Sequence, residues 1–220
     1  MLFRSLKMRI ASLTLLALCL AVIPAVAQTD IYDNGPINGT VDAWTINSGF
    51  AVSDSFTLGG AANVSGLNFG VWILPGDVLE SAEVSITSGE FGGTSFFDGS
   101  VNLTASGCST NQFGYNVCTE SGTFSGPSLN AGTYWLNLSN AVVNDGDPVY
   151  WDENSGQSSA SQNTVGSIPS EAFTLLGGTS GSSTSSTSST SSTSTPEPSS
   201  IMLFGSGVLG LAGLLRRKLF

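Results

Sequence analysis

The sequence predicts an all-β protein, a single antiparallel β-sandwich or jelly-roll body carried between two terminal segments of different character. Three observations carry this. Short β-rich runs recur through the middle of the chain, separated by Gly, Asn, Asp and Pro. No stretch of that middle has a useful length of helical periodicity. All six basic residues of the 220-residue chain sit at its two ends, and all sixteen Asp and Glu residues lie between them.

The body spans residues 28–178, enough for one domain with a real core. Candidate strands are Ala43 to Ile46, Phe50 to Leu58, Asn63 to Phe69, Val78 to Thr87, Thr94 to Phe97, Val101 to Ala105, Asn116 to Phe124, Thr133 to Leu138, Val149 to Asp152 and Glu171 to Leu176. Alternation puts Ala82, Val84 and Ile86 on one face and Glu83 and Ser85 on the other. Asp98-Gly99 reads as a two-residue hairpin. Pro75-Gly76 suits a type II turn, and Asp145-Gly146 suits another reversal. Eight to ten such strands in a body of this size point to a sandwich or jelly roll. Trp44, Phe56, Phe69, Trp72, Trp135 and Leu136 are candidate core or cleft residues. Neighbours such as Trp135 and Leu136 face opposite ways, so only one of them enters the core.

Cys108 and Cys118 flank a Ser/Thr/Asn/Gly segment. Outside the cytoplasm they fit a disulfide that staples a loop between adjacent strands. No His or further body Cys exists to complete a zinc site.

Absences exclude much chemistry. The chain has no His, and no Lys or Arg between Ile10 and Leu215. This rules out Ser-His-Asp and Cys-His sites, Schiff bases and Ser-Lys dyads in the body. Nothing there clamps a phosphate. The net charge of −10 repels nucleic acid, so none is expected as a partner. Carboxylates remain. A glycosidase needs two of them, and Asp77, Glu80, Glu83, Glu90, Asp152 and Glu153 are available without a spacing that singles out a pair. The body is therefore expected not to be an enzyme, with a carboxylate glycosidase as the alternative.

No cofactor is required. Calcium is the cofactor that carboxylates and amide oxygens would take. Asp30 and Asp33 with Asn34 form one candidate set. Asp145 and Asp147 with Asn144, Asp152, Glu153 and Asn154 form the other. Neither set is an EF-hand, and Asp145-Gly146-Asp147-Pro148 is as easily a plain turn. Exposed aromatics would serve sugar binding, with Trp72, Tyr134, Tyr150 and Trp151 as candidates. Tyr150-Trp151-Asp152 is the most suggestive group, because it joins aromatic faces to a hydrogen-bond acceptor; packing in the core is the competing use.

The two ends read as topology signals. Residues 1–27 fit a signal peptide: Arg4, Lys7 and Arg9, then the apolar run Ile10 to Ile23, then Pro24-Ala25-Val26-Ala27 before Gln28. Residues 179–195 are nearly pure Ser and Thr and are expected to be a disordered tether. Residues 196–220 begin Pro196-Glu197-Pro198, continue through a short apolar run with Gly205, Gly207, Gly210 and Gly213, and end on Arg216, Arg217 and Lys218. The basic cluster is expected to stay cytoplasmic and to leave the body outside.

Pro-Glu-Pro, a Gly-containing apolar helix and an Arg-rich end, in this order, resemble the PEP-CTERM sorting signal. The usual Val before the motif is Thr195 here. The resemblance implies Pro196, Glu197 and Pro198 as recognition residues, an exosortase as processing partner, and transient membrane anchoring through the C-terminal helix. It also implies an association with exopolysaccharide in biofilm-forming bacteria. More faintly, Tyr32-Asp33-Asn34-Gly35-Pro36, Val52-Ser53-Asp54-Ser55-Phe56, Pro75-Gly76-Asp77 and Ala131-Gly132-Thr133-Tyr134-Trp135-Leu136 resemble ectodomains that recur in PEP-CTERM proteins. The expected role is a structural or adhesive module at the cell surface or secreted.

Overall fold

A computed structural model describes residues 28–179. The expected signal peptide, the Ser/Thr-rich segment beyond Thr179, and the segment with Pro196, Glu197, Pro198, Arg216, Arg217 and Lys218 lie outside the described residues.

The described chain is all-β, and every strand pairing is antiparallel. The strands are β1 (Thr29–Asp33), β2 (Ala43–Thr45), β3 (Ala51–Leu58), β4 (Ala62–Ile73), β5 (Leu79–Gly89), β6 (Gly92–Thr110), β7 (Asn116–Thr123), β8 (Ser128–Leu129), β9 (Gly132–Val143), β10 (Tyr150–Asp152), β11 (Ala160–Gln162), β12 (Gly166–Ile168) and β13 (Phe173–Thr179). They form one sheet in the order β1-β13-β4-β7-β6-β5-β9-β3-β11-β12, with β2, β8 and β10 attached beside this path.

The sheet curls on itself at β6. Its first half pairs with β5 as far as Asn102, and its second half pairs with β7 from Leu103 onward. The strand thus crosses from one layer of a sandwich to the other. One layer holds β1, β13, β4, β7, β10, β2 and β8. The other holds β5, β9, β3, β11 and β12.

This corrects the expected hairpin at Asp98-Gly99. Both residues are paired inside β6, Asp98 with Ser85 and Gly99 with Val84. A tight primed turn needs positive φ at its central residues, and neither residue has it. The chain reverses instead at Glu90-Phe91, between the paired Gly89 and Gly92, with Phe91 at φ 52°. The Pro75-Gly76 turn forms as expected: Gly76 has φ 106°, and the Asp77 N–H donates to the Leu74 carbonyl at 3.1 Å.

The core lies between the layers. Val52, Phe56, Val84, Ile86, Leu136 and Leu138 on one side join Leu67, Phe69, Val71, Trp151, Phe173 and Leu175 on the other in one buried cluster. Alternation holds where it was read: Ala82, Val84 and Ile86 are fully buried, and Leu136 enters the core while Trp135 stays half-buried outside. Trp151 is the largest fully buried side chain. Its ring meets Phe69 and Phe173 edge-on, with centroids 6.2 and 5.7 Å away, and its indole N–H donates to the Ala172 carbonyl at 3.0 Å.

Cys108 and Cys118 are disulfide-bonded across the β6–β7 hairpin, with Cα atoms 4.1 Å apart. The bond sits where the ladder slips a residue between Ser106 and Ser109.

Truncating the central tryptophan tests the core directly. Trp151→Ala should destabilise the fold by about 3–5 kcal/mol, measured by denaturant unfolding. A loss near 1 kcal/mol would mean that the two layers do not meet over this ring.

Candidate functional site

The β6–β7 hairpin ends in a loop organised by Asn111. Its backbone N–H donates to the Tyr115 carbonyl at 2.8 Å, and its side-chain oxygen accepts the N–H groups of Phe113 and Tyr115, each at 3.0 Å. Its amide donates to the Gly39 carbonyl at 3.1 Å, and Gln112 donates to the Thr40 carbonyl at 3.2 Å. The hairpin end is thus fixed against the loop after β1. The arrangement displays Phe113, which is 54% exposed.

Phe113 stacks on Trp72, with centroids 5.6 Å apart and planes 23° off parallel. Trp72 meets Tyr115 at 6.0 Å, and Tyr115 meets Tyr150 edge-on at 5.5 Å. Register places Tyr150 directly beside Trp72, because β10 pairs with β4 there. The result is a run of four aromatic rings whose outer members reach solvent. The same hairpin end borders a groove of about 400 Å³ lined by the amides and hydroxyls of Asn38, Thr40, Ser109, Thr110, Asn111 and Gln112.

Behind the aromatic run lies Asp152. It accepts the N–H groups of Asn38 (2.8 Å), Gly39 (2.9 Å) and the Trp72 indole (2.6 Å). Burial pushes its carboxyl above the ordinary range, and those three donors pull it back. Gly39 has φ 63°, and a Cβ there would strike Val117 at 2.7 Å, so the loop needs glycine at this point.

The expected sugar-binding group therefore divides. Tyr150 reaches the surface, but Trp151 and Asp152 are both 0% exposed and present no face to a sugar. Asp152 instead holds Trp72 and the Asn38-Gly39 loop in place. Neighbouring residues of a strand face opposite ways; Tyr150 points outward, so Trp151 points into the core.

The expected calcium ligands divide as well. Asp145 and Asp147 come together with Asp77, each offering a carboxylate oxygen within 4.8 Å of the others. Burial, then the two neighbouring acids, raise the Asp77 carboxyl. Asp30 and Asp33 join no such trio among the described residues; both are exposed on β1. Asn34, grouped with them, turns inward instead.

A second polar region lies inside the sandwich, one that sequence reasoning does not single out as a buried group. Asp54, Glu120 and Glu171 are 0% exposed, and Glu153 is 7% exposed. No cationic side chain exists in residues 28–179 to pair with them. Asp54 Oδ2 accepts the Asn34 amide (3.0 Å), the Ser158 hydroxyl (2.9 Å) and the Glu171 N–H (2.8 Å). Burial still drives its carboxyl up to about 6. Neither oxygen of Glu120 meets a donor, and burial drives that carboxyl to about 7. Burial, then Asp54, raise Glu171 well above the ordinary range.

A signal for these residues does stand in the sequence. Asp54 lies two residues from both Val52 and Phe56, Glu171 two before Phe173, and Glu120 two after Cys118. Each is an acid at an inward position of an alternating strand.

Residues 194–218 match the PEP-CTERM protein-sorting motif. The match covers the expected recognition residues Pro196, Glu197 and Pro198 and the basic cluster Arg216, Arg217 and Lys218. It marks the chain for exosortase-targeted export, with C-terminal membrane anchoring before processing. No curated protein matches the chain.

The unpaired acids set a pH dependence. For Glu120, the folded carboxyl titrates near 7 and the unfolded one near 4.5, so the folded state binds more protons between those values. Stability should therefore fall as pH rises from about 4.5 to 7 and level off above. Glu120→Gln should flatten this fall, as measured by urea unfolding across the window. A slope equal to that of the parent chain would show that Glu120 does not carry it.

Proposed function

We propose that the body is a non-enzymatic, structural or adhesive module that meets exopolysaccharide at the cell surface or after release. The observation that carries this reading is the aromatic run beside an amide-lined groove. Exposed rings stack on the apolar faces of sugars, and neighbouring amides and hydroxyls exchange hydrogen bonds with their hydroxyls. Phe113, Tyr115 and Tyr150 supply the rings, while Asn38, Asn111 and Gln112 border the groove. The PEP-CTERM motif supports delivery to the compartment where such a polymer is found.

The cysteines have a role in this reading. Closing a loop of this size stabilises by roughly 3 kcal/mol in the chain-entropy model. That constraint acts on the hairpin whose end displays Phe113. Binding then meets a preformed surface and spends little on ordering it.

The alternative is a carboxylate glycosidase. Asp54 and Glu171 have the raised carboxyls of an acid catalyst, but both are 0% exposed and out of reach of a sugar ring. No observation favours a second reading on an exposed pair.

Sedimentation of the chain with the host's purified exopolysaccharide tests the proposal. Binding should saturate, and Phe113→Ala should weaken it about tenfold, equivalent to ~1.4 kcal/mol, with the fold intact by circular dichroism. Tyr150→Ala should act in the same direction. Full binding by both variants would remove this surface from the function. Release of reducing ends would establish the glycosidase.

A further inference from the structure

We propose that the polymer taken by this surface is an amine-bearing linear polysaccharide, of the partly deacetylated hexosamine class, bound along an internal stretch of its chain. The proposal rests on the aromatic run being a sugar-binding face.

The track is longer than the run of rings. Phe113 follows Gln112, which lines the groove at the hairpin end. That groove shares Ile37 and Thr119 with a second cavity of about 340 Å³, which shares Asp33 and Gly35 with a third of about 420 Å³. Every residue from Tyr32 to Thr40 lines at least one of the three. This wall is fixed in place: the Asn34 amide donates to Asp54 Oδ2 at 3.0 Å, and the Asn38 and Gly39 N–H groups donate to Asp152. A preformed path of this extent fits several linked sugars and exceeds what one ring or one chain end requires.

Charge of a single sign accompanies the track. Asp33 is exposed and lines the second and third cavities. At the other end, Asp147 stands three residues before Tyr150, in the company of Asp145 and Asp77. Burial, then Tyr115, then Asp147, raise the Tyr150 hydroxyl, so that acid lies within electrostatic reach of the outer ring. Of the sixteen acids only Glu197 falls outside residues 28–179, and none of the six basic residues falls inside.

This charge selects among polysaccharides. A polymer of uronate, sulfate or phosphate groups meets repulsion that no Lys or Arg offsets. A neutral polymer leaves the acids uncompensated. Ammonium groups spaced along a chain are drawn to the acidic body, and each brings three donors for charge-assisted bonds to carboxylates. The apolar faces of the same sugars remain free to stack on Phe113, Tyr115 and Tyr150, where a nearby ammonium gains further from the ring faces.

Titration calorimetry of the whole chain in detergent, at pH about 6, where aliphatic amines are protonated, tests this with three six-sugar probes: a glucosamine oligomer, its fully N-acetylated counterpart and a galacturonate oligomer. The glucosamine oligomer should bind about tenfold tighter than the acetylated one, and the galacturonate oligomer should not bind. Phe113→Ala should weaken the glucosamine oligomer about tenfold. The double variant Asp33→Asn with Asp147→Asn should bring its affinity down to that of the acetylated one. The comparison of the three probes on the parent chain needs no variant to fold. Failure of the glucosamine oligomer to bind would overturn the proposal, as would equal or tighter binding of the acetylated oligomer, or galacturonate binding that survives a chelator. Glucosamine binding unmoved by Phe113→Ala would overturn it too, because bulk attraction of a polycation would then suffice; unmoved affinity in the double Asp variant would do the same. If the host's exopolysaccharide still sediments with the chain while the glucosamine preference fails, this proposal falls and the sugar-binding surface stands. If the preference holds and the exopolysaccharide does not bind, that polymer is removed as the partner and the amine preference stands.

Discussion

The constraint on this protein is a set of buried acids with no cationic side chain to pair with them. Its body has no positive charge of any kind, yet it carries Asp54, Glu120, Asp152, Glu153 and Glu171 at or near complete burial. Each must resolve its charge without an ion pair. Asp152 does so with two backbone N–H groups and an indole. Glu153 has an indole, and Asp54 an amide, a hydroxyl and a backbone N–H. Glu120 has no donor, and its burial favours the protonated form. The body's chemistry follows from how far this supply of neutral donors reaches.

Asn34 shows how much depends on one residue. Its N–H donates to Phe173, its carbonyl accepts the Asn154 amide, its side-chain oxygen accepts the Tyr32 hydroxyl, and its side-chain nitrogen reaches β3 and the segments holding Ser158, Ser170 and Glu171. Strands far apart in sequence meet at that amide. Asp152 does the same for the other region, tying Trp72 and the Asn38-Gly39 loop to one carboxylate. In both places a buried polar group specifies which segments meet, and the apolar core supplies the cohesion. The aromatic surface inherits this order: Phe113 stands on Trp72, and Trp72 is held by Asp152.

The fold class was legible because the two-residue period is strong in the central strands. Ala82, Val84 and Ile86, or Phe56 and Leu136, need only alternation and burial. The Pro75-Gly76 turn was legible because the ring and the glycine each fix one backbone angle. Asp98-Gly99 misled because a turn signal competes with the ladder. Pairing Asp98 and Gly99 with β5 lets β6 run through and carry the chain between layers. β11 and β12 are three residues each, too short for a local pattern to mark them. In the site, aromatic identity is visible but facing is not: Tyr150 and Trp151 are neighbours on β10, and alternation puts them on opposite faces. Phe113 was invisible because its position depends on a hairpin whose partner loop begins more than seventy residues earlier.

Carbon-13 NMR titration of the side-chain carboxyls, in calcium-free solution, tests the dependence on neutral donors most directly. The account predicts that Glu120 loses its proton near pH 7 and Asp54 near pH 6, in the folded protein. Ionisation of both in the ordinary carboxylate range, with the fold intact, would contradict it. The interior would then be stabilising these charges by means other than the donors described.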